Sequence, residues 1–161
     1  MGLGKALGFS LLAFIGLNFL FVIIAGTING TLNILFSIIS SDPLFIIVIF
    51  FEPITIMPGT VVNSIFFSIS SGVFDASLIL SIGYLVSPFV ASLVAGRTGD
   101  SKGGSFGGWM IAALISSAAM AVLGFIQLAP ILVVIGFILS GIVNGIFYGC
   151  FALLFSKAEM Y

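Results

Sequence analysis

The sequence predicts an all-α integral membrane protein with a single transmembrane domain over residues 1–161. Two observations indicate this fold class. The chain is 61% hydrophobic and 6% charged, with a mean hydropathy of +1.42. It also contains apolar runs of the length, about 20 residues, that a helix needs to cross a hydrocarbon core roughly 30 Å thick. Such a chain has too little polar surface to fold in water.

Four apolar runs are each long enough to cross a membrane as one helix. They occupy residues 6–26, 75–96, 107–128 and 130–156. The first run is longer than the roughly 7–15 apolar residues of a signal peptide and has no Ala-x-Ala cleavage signal. It therefore predicts a helix that stays in the protein. The last two runs meet at Pro130, which predicts a sharp turn between them.

Basic residues mark three places along the chain. They are Lys5, the polar loop 97–106 with Arg97 and Lys102, and Lys157 near the end. The positive-inside rule places all of them on the cytoplasmic side. We therefore expect cytoplasmic N- and C-termini and an even number of crossings between residues 27 and 74.

The segment 27–74 has two interpretations. In the first, residues 30–51 and 53–74 are two further spans that meet at Glu52, which gives six spans in all. In the second, residues from about 28 to 74 form a broken or re-entrant hairpin, which leaves four spans. The sequence has helix breakers at Asp42-Pro43, Glu52-Pro53 and Pro58-Gly59. Irregular backbone at membrane depth needs cover from protein or water. We predict six spans, with the four-span hairpin as the alternative.

The residue types argue against several function classes. The chain has no His and one Cys, Cys150, so it lacks the commonest metal ligand and cannot form a Cys cluster. Four basic residues are too few for the cationic surface that nucleic acids bind. We therefore predict no catalytic residues, metal, cofactor or nucleic-acid partner, and do not expect an enzyme.

Two acidic residues, Asp42 and Glu52, are candidates for an ion or polar site. A carboxylate kept within a membrane segment usually faces the bundle interior or water. Broken helices also leave free carbonyl groups, which favours a site for a small cation or a proton. The competing interpretation is that Asp42 caps a helix beginning at Pro43 and that Glu52 ends at the lipid headgroups.

The strongest motif is a stripe of glycines on the last run, Gly141, Gly145 and Gly149. Glycines four residues apart form one flat face that lets another helix approach closely. Asn144 adds a polar group beside this face. The stripe predicts either an interface with another subunit or packing against a helix of the same chain.

Two further residues have a predicted place at the membrane surface. Asn29 begins the sequon Asn29-Gly30-Thr31 on the predicted outer side, so it is a candidate for N-glycosylation. Trp109 lies near the cytoplasmic start of its run, where Trp commonly anchors a helix at the interface.

The small extramembrane parts and the glycine stripe favour a non-catalytic membrane subunit that packs into or stabilises a larger complex. Its partners would be other membrane protein subunits and the lipid bilayer. The alternative is a component of an ion or small-solute channel or transporter that uses the interrupted helices around Asp42 and Glu52.

Overall fold

A computed structural model describes residues 2–156, and every regular element in that range is helical. The elements are α1 (Gly2–Ile28), α2 (Leu32–Ser41), α3 (Phe45–Phe51), a 3₁₀ turn (Glu52–Thr55), α4 (Pro58–Ser70), α5 (Ala76–Thr98), α6 (Lys102–Ile126) and α7 (Ile131–Leu154).

Four of these helices, α1, α5, α6 and α7, are long and apolar enough to cross a membrane. The bent pair formed by α3 with its turn and α4 would make a fifth candidate if counted as one span. The all-helical prediction and the four long apolar runs are thus confirmed. Several long apolar helices indicate a membrane-embedded protein.

Six spans are not confirmed. The predicted spans 30–51 and 53–74 are broken into α2, α3 and α4, which have 10, 7 and 13 residues. Each is well short of the roughly 20 residues needed to cross the bilayer. The breaks fall at the prolines, because proline has no N–H for the helical ladder and its ring clashes with the preceding turn. The helix axis bends by 95° between Phe45–Thr55 and Pro58–Ser70.

The polar loop predicted at 97–106 is shorter in the structure. Helix α6 begins at Lys102, where the Ser101 side chain accepts a hydrogen bond from the Gly104 N–H at 3.1 Å. Asp75 caps α5 in the same way, accepting from the Leu78 N–H at 3.1 Å. Both are ordinary N-caps that satisfy otherwise unpaired N–H groups.

The long helices pack so that the described basic residues lie at one end of the bundle. Gly2 contacts Asp100 and Gly83 contacts Phe21, so α1 and α5 are antiparallel. Gly104 lies beside Leu3 and Gly108 beside Ala6, so α1 and α6 are parallel. One end therefore holds the start of α1 and α6 and the finish of α5; we call it the basic end because Lys5, Arg97 and Lys102 lie there.

We call the broken segment α3–turn–α4 the hairpin. It packs into the bundle from the end that lies away from the basic end, which we call the opposite end. Ser64 on α4 and Ser81 on α5 have their hydroxyl oxygens 3.2 Å apart. The short connection 71–75 joins these two helices, so α4 runs antiparallel to α5 and finishes beside its start. The hairpin thus returns to the opposite end, and its turn lies inside the bundle.

The core near the middle of the bundle is aromatic. Trp109 is 1% exposed, and its ring makes edge contacts with Phe14 at 6.1 Å and Tyr148 at 6.3 Å between ring centroids. The prediction that Trp109 is an interfacial anchor is therefore wrong. Because α6 starts five residues earlier than predicted, at 102 instead of 107, Trp109 lies two turns into the helix and faces its neighbours. We call Phe14, Trp109 and Tyr148 the aromatic layer.

Candidate site at the broken helix

The site is built around the 3₁₀ turn Glu52–Thr55, which we call the tip. Pro53 occupies one of its first positions, where the missing N–H costs nothing. Pro53 and Ile54 are buried, and the tip contacts α5, α6 and α7. The break in the helix therefore lies within the bundle, with protein around it, as irregular backbone at membrane depth requires.

A break of this kind leaves carbonyl groups without helical partners. In a continuous helix the N–H of residue 58 would bond the Ile54 carbonyl, but residue 58 is proline and has none. The side-chain amide of Asn144 on α7 supplies the missing donor. Its Nδ2 donates to the Ile54 carbonyl at 2.7 Å and to the Ile56 carbonyl at 3.0 Å.

A second asparagine holds the other side of the tip. The Asn18 Nδ2 on α1 donates to the Phe50 carbonyl at 2.6 Å. Asn18 is 3% exposed and Asn144 is fully buried. The Oδ1 atoms of both have no hydrogen-bond partner within the described part of the chain. Two amides on different long helices thus hold the backbone just before the break, at Phe50, and within it, at Ile54 and Ile56.

Glu52 is the acidic group of the site. The Tyr84 hydroxyl on α5 donates a hydrogen bond to Glu52 Oε2 at 2.9 Å. No described contact joins Glu52 to a basic side chain, since Lys5, Arg97 and Lys102 lie at the basic end. Its described side-chain partner within residues 2–156 is therefore a neutral phenol.

Glu52 and Tyr84 line a cavity of about 220 Å³. Most of its wall is apolar, and Phe45 adds a second aromatic ring. Asn29 and Thr31, which follow the last turn of α1, also line it. The cavity therefore extends from the opposite end of the bundle to the tip. Its aliphatic wall includes Val22, Ala25, Leu35, Val48, Ile49 and Leu80.

Asp42 lies elsewhere, exposed on the surface between α2 and α3. Its Oδ1 accepts a hydrogen bond from the Leu44 N–H at 3.1 Å, an Asx turn that stabilises the connection between the two helices. It is not among the residues that line the Glu52 cavity. The structure thus does not bring the two candidate acids into one site.

The glycine stripe of α7 faces α6 of the same chain. A Cβ added at Gly141 would collide with Ser117, and one at Gly145 would lie 2.6 Å from the Met110 sulfur. At Gly149 it would lie 2.5 Å from the Phe106 ring. These contacts agree with the second interpretation of the stripe, in which it packs against a helix of the same chain. Asn144, predicted to lie beside the stripe, instead reaches the tip of the hairpin.

Sequence reasoning missed Asn18 and Tyr84. The sequence does contain a signal for Asn18: it is a lone amide within a long apolar run, where a polar side chain usually faces the bundle interior. The sequence contains no such signal for Tyr84, since a tyrosine in an apolar helix packs equally well against lipid. Asn29 lies exposed in the turn after α1, and its glycosylation stays a prediction.

Fold and site together define an all-helical chain with four or five candidate membrane spans, a broken-helix hairpin inside its bundle and a carboxylate at the hairpin tip. Comparison with protein families, with curated proteins and with solved structures finds no match to this chain. Within residues 2–156, no three His, Cys, Asp or Glu side chains are grouped in a way that could hold a metal ion. The proposal for function therefore depends on the geometry of Glu52 and its surroundings.

Proposed function

We propose that the chain is a component of a membrane transporter or channel for an ion or small solute, with Glu52 as its charged group. The observation that supports this most strongly is the position of Glu52. It lies at the tip of a broken helix, receives a hydrogen bond from Tyr84, and lines a cavity that extends from one end of the bundle. Carboxylates placed within membrane segments in this way commonly mark ion or substrate pathways.

We further propose that the hairpin is re-entrant and that the protein has four spans. The positive-inside rule then puts the basic end on the cytoplasmic side. That end holds the start of α1 and, beside Phe106 of α6, the finish of α7, so we propose that both termini are cytoplasmic. The opposite end, with Asn29 and the mouth of the cavity, faces outward. In this arrangement Glu52 receives its ligand from the outer side.

The aromatic layer favours a gated site and argues against an open pore. Phe14 and Asn18 are one helical turn apart on α1, and Asn144 and Tyr148 are one turn apart on α7. Both aromatic residues lie on the basic-end side of the asparagine that holds the tip. Together with Trp109 they form a layer of contacting rings on the basic-end side of the tip. Passage beyond Glu52 would therefore require these side chains to move.

The non-catalytic subunit remains the second proposal. It was suggested by the glycine stripe, which in the structure contacts α6 of the same chain. That contact means that the α7 stripe packs within this chain and does not by itself favour a partner. Copurification from native membranes followed by mass spectrometry tests this proposal separately, and a monodisperse monomer without a companion would count against it.

The transport proposal is tested by charge movement in proteoliposomes adsorbed on a solid-supported membrane. Concentration jumps of protons, sodium, potassium and small organic solutes should produce a current with the wild-type protein. Glu52→Gln should reduce this current to that of empty liposomes. Asp42→Asn is the matched control, because it removes the same charge from the surface and keeps the Asx turn, so its current should equal the wild-type current.

Two outcomes would overturn the transport proposal. One is the absence of a current from correctly folded wild-type protein with every solute. The other is an unchanged current in Glu52→Gln protein. Circular dichroism and gel filtration of each variant show whether it has folded.

A further inference from the structure

We infer that the cavity at Glu52 binds a small organic ammonium ion with an apolar body. This inference deepens the proposed function, since it names the substrate class for the same cavity. Three features of the cavity support it: a carboxylate without a basic partner among residues 2–156, an apolar wall of molecular size, and two aromatic rings.

The charge of Glu52 calls for a cationic occupant. A carboxylate in apolar surroundings is strongly disfavoured unless a positive charge or a proton accompanies it. The described partner of Glu52 is the neutral hydroxyl of Tyr84. Within residues 2–156 the basic side chains lie at the far end of the bundle. The charge-balancing cation, or the proton that takes its place, must therefore come from a ligand or from solution.

The size and wall of the cavity favour an organic cation over a metal ion. Hard metal ions bind six or more oxygen ligands, whereas the deep part of this cavity offers the Glu52 carboxylate and the Tyr84 hydroxyl. A volume of about 220 Å³ is far larger than one dehydrated ion needs. It is somewhat smaller than the roughly 300–1,000 Å³ of sites for drug-sized ligands. The space thus suits a small molecule with one charged group.

The aromatic rings fit the same class of ligand. Phe45 and Tyr84 both line the cavity, and the faces of aromatic rings attract ammonium groups. The aliphatic part of the wall, including Val48 and Leu80, favours an apolar body over a second polar group. An ammonium group at Glu52 with its hydrocarbon part against the aliphatic wall formed by residues such as Val48 and Leu80 satisfies both parts of the lining.

Binding of benzylammonium to the purified full-length protein in detergent tests the inference by isothermal titration calorimetry. Benzyl alcohol is the neutral control of nearly the same shape, and sodium chloride is the inorganic competitor. We expect benzylammonium to bind at least about tenfold more tightly than benzyl alcohol. Sodium should not displace it at equal ionic strength.

The variants locate the binding site. Glu52→Gln should weaken benzylammonium binding about tenfold or more, and Tyr84→Phe by roughly three- to tenfold. Val48→Trp, which fills the cavity, should abolish binding of both benzyl compounds. Asp42→Asn should bind like the wild type. If Glu52→Gln protein does not fold, the comparison of the three ligands on wild-type protein decides alone.

Three results would overturn the inference: equal affinity for benzylammonium and benzyl alcohol, displacement by sodium, or full benzylammonium binding by folded Glu52→Gln protein. Glu52-dependent currents carried by protons or sodium, without benzylammonium binding, would refute this inference and leave the transport proposal standing. Benzylammonium binding without any current would support this inference and refute the transport proposal.

Discussion

The side-chain amide of Asn144 donates a hydrogen bond to the carbonyl of Ile54 at 2.7 Å, although 90 residues separate them along the chain. This bond joins the middle of the last long helix to the broken helix inside the bundle. It replaces the donor that Pro58 cannot provide. The position of Glu52, two residues before Ile54, therefore depends on a residue near the far end of the sequence.

Asn144→Leu should destabilise the protein, because it leaves the Ile54 and Ile56 carbonyls without their side-chain donor. A buried unpaired polar group costs about 1–3 kcal/mol, although side-chain hydrogen bonds within membranes average nearer 0.6 kcal/mol. We expect a loss of about 2 kcal/mol, measured by unfolding in mixed micelles with increasing dodecyl sulfate. The control is Asn63→Leu on the exposed face of α4, which should change stability by less than about 0.5 kcal/mol. A loss no larger in Asn144→Leu than in Asn63→Leu would contradict the role of Asn144.

Alanine substitutions along α7 should show whether the glycine stripe packs internally. Gly141→Ala should lower the melting temperature of the isolated chain, because its Cβ would collide with Ser117. Gly145→Ala should be milder, since the end of the flexible Met110 side chain can move away. Gly136 has open space around an added Cβ, so Gly136→Ala is the control and should be neutral or stabilise by up to about 1 kcal/mol. Equal melting of all three variants would mean that the stripe does not hold α7 against α6.

Trp109→Ala should be strongly destabilising, because Trp109 is 1% exposed and its loss opens a cavity in the aromatic layer. Large-to-alanine changes of this kind cost about 3–5 kcal/mol. Phe125→Ala on the same helix is the control, since that ring is 59% exposed and its removal opens no internal space. The same dodecyl sulfate titration compares them. Similar small losses in both variants would restore the interfacial interpretation of Trp109.

Cysteine labelling distinguishes the two topologies. Cys150→Ser removes the single native thiol, and new cysteines are then added one at a time for reaction with a membrane-impermeant maleimide applied outside intact cells. Asn29→Cys should react and Lys102→Cys should not, in either topology. Asp42→Cys decides: a re-entrant hairpin leaves it at the outer surface, where it should react as fast as Asn29→Cys. With six spans it would lie near mid-membrane and stay unlabelled.

Much of the candidate site was outside the reach of sequence reasoning. The proline breaks and the choice of Glu52 as a candidate residue follow from the residues alone, because proline disrupts helices locally and carboxylates are rare in membranes. Asp42 and Glu52 looked equivalent by the same argument. Only the packed structure separates them, with one at the surface in an Asx turn and the other in a cavity beside Tyr84.

The sequence by itself determined the helical class, the four long apolar helices and the places where the hairpin breaks. These properties depend on run length and on proline chemistry, which act within a few turns of the chain. The tertiary structure decided which faces point inward: Trp109 to the core, the glycine stripe to α6, and Asn18 and Asn144 to the tip. In a membrane the outward face is as apolar as the inward one, so hydrophobic periodicity does not mark the side that packs. Contacts between residues far apart in the chain make that choice.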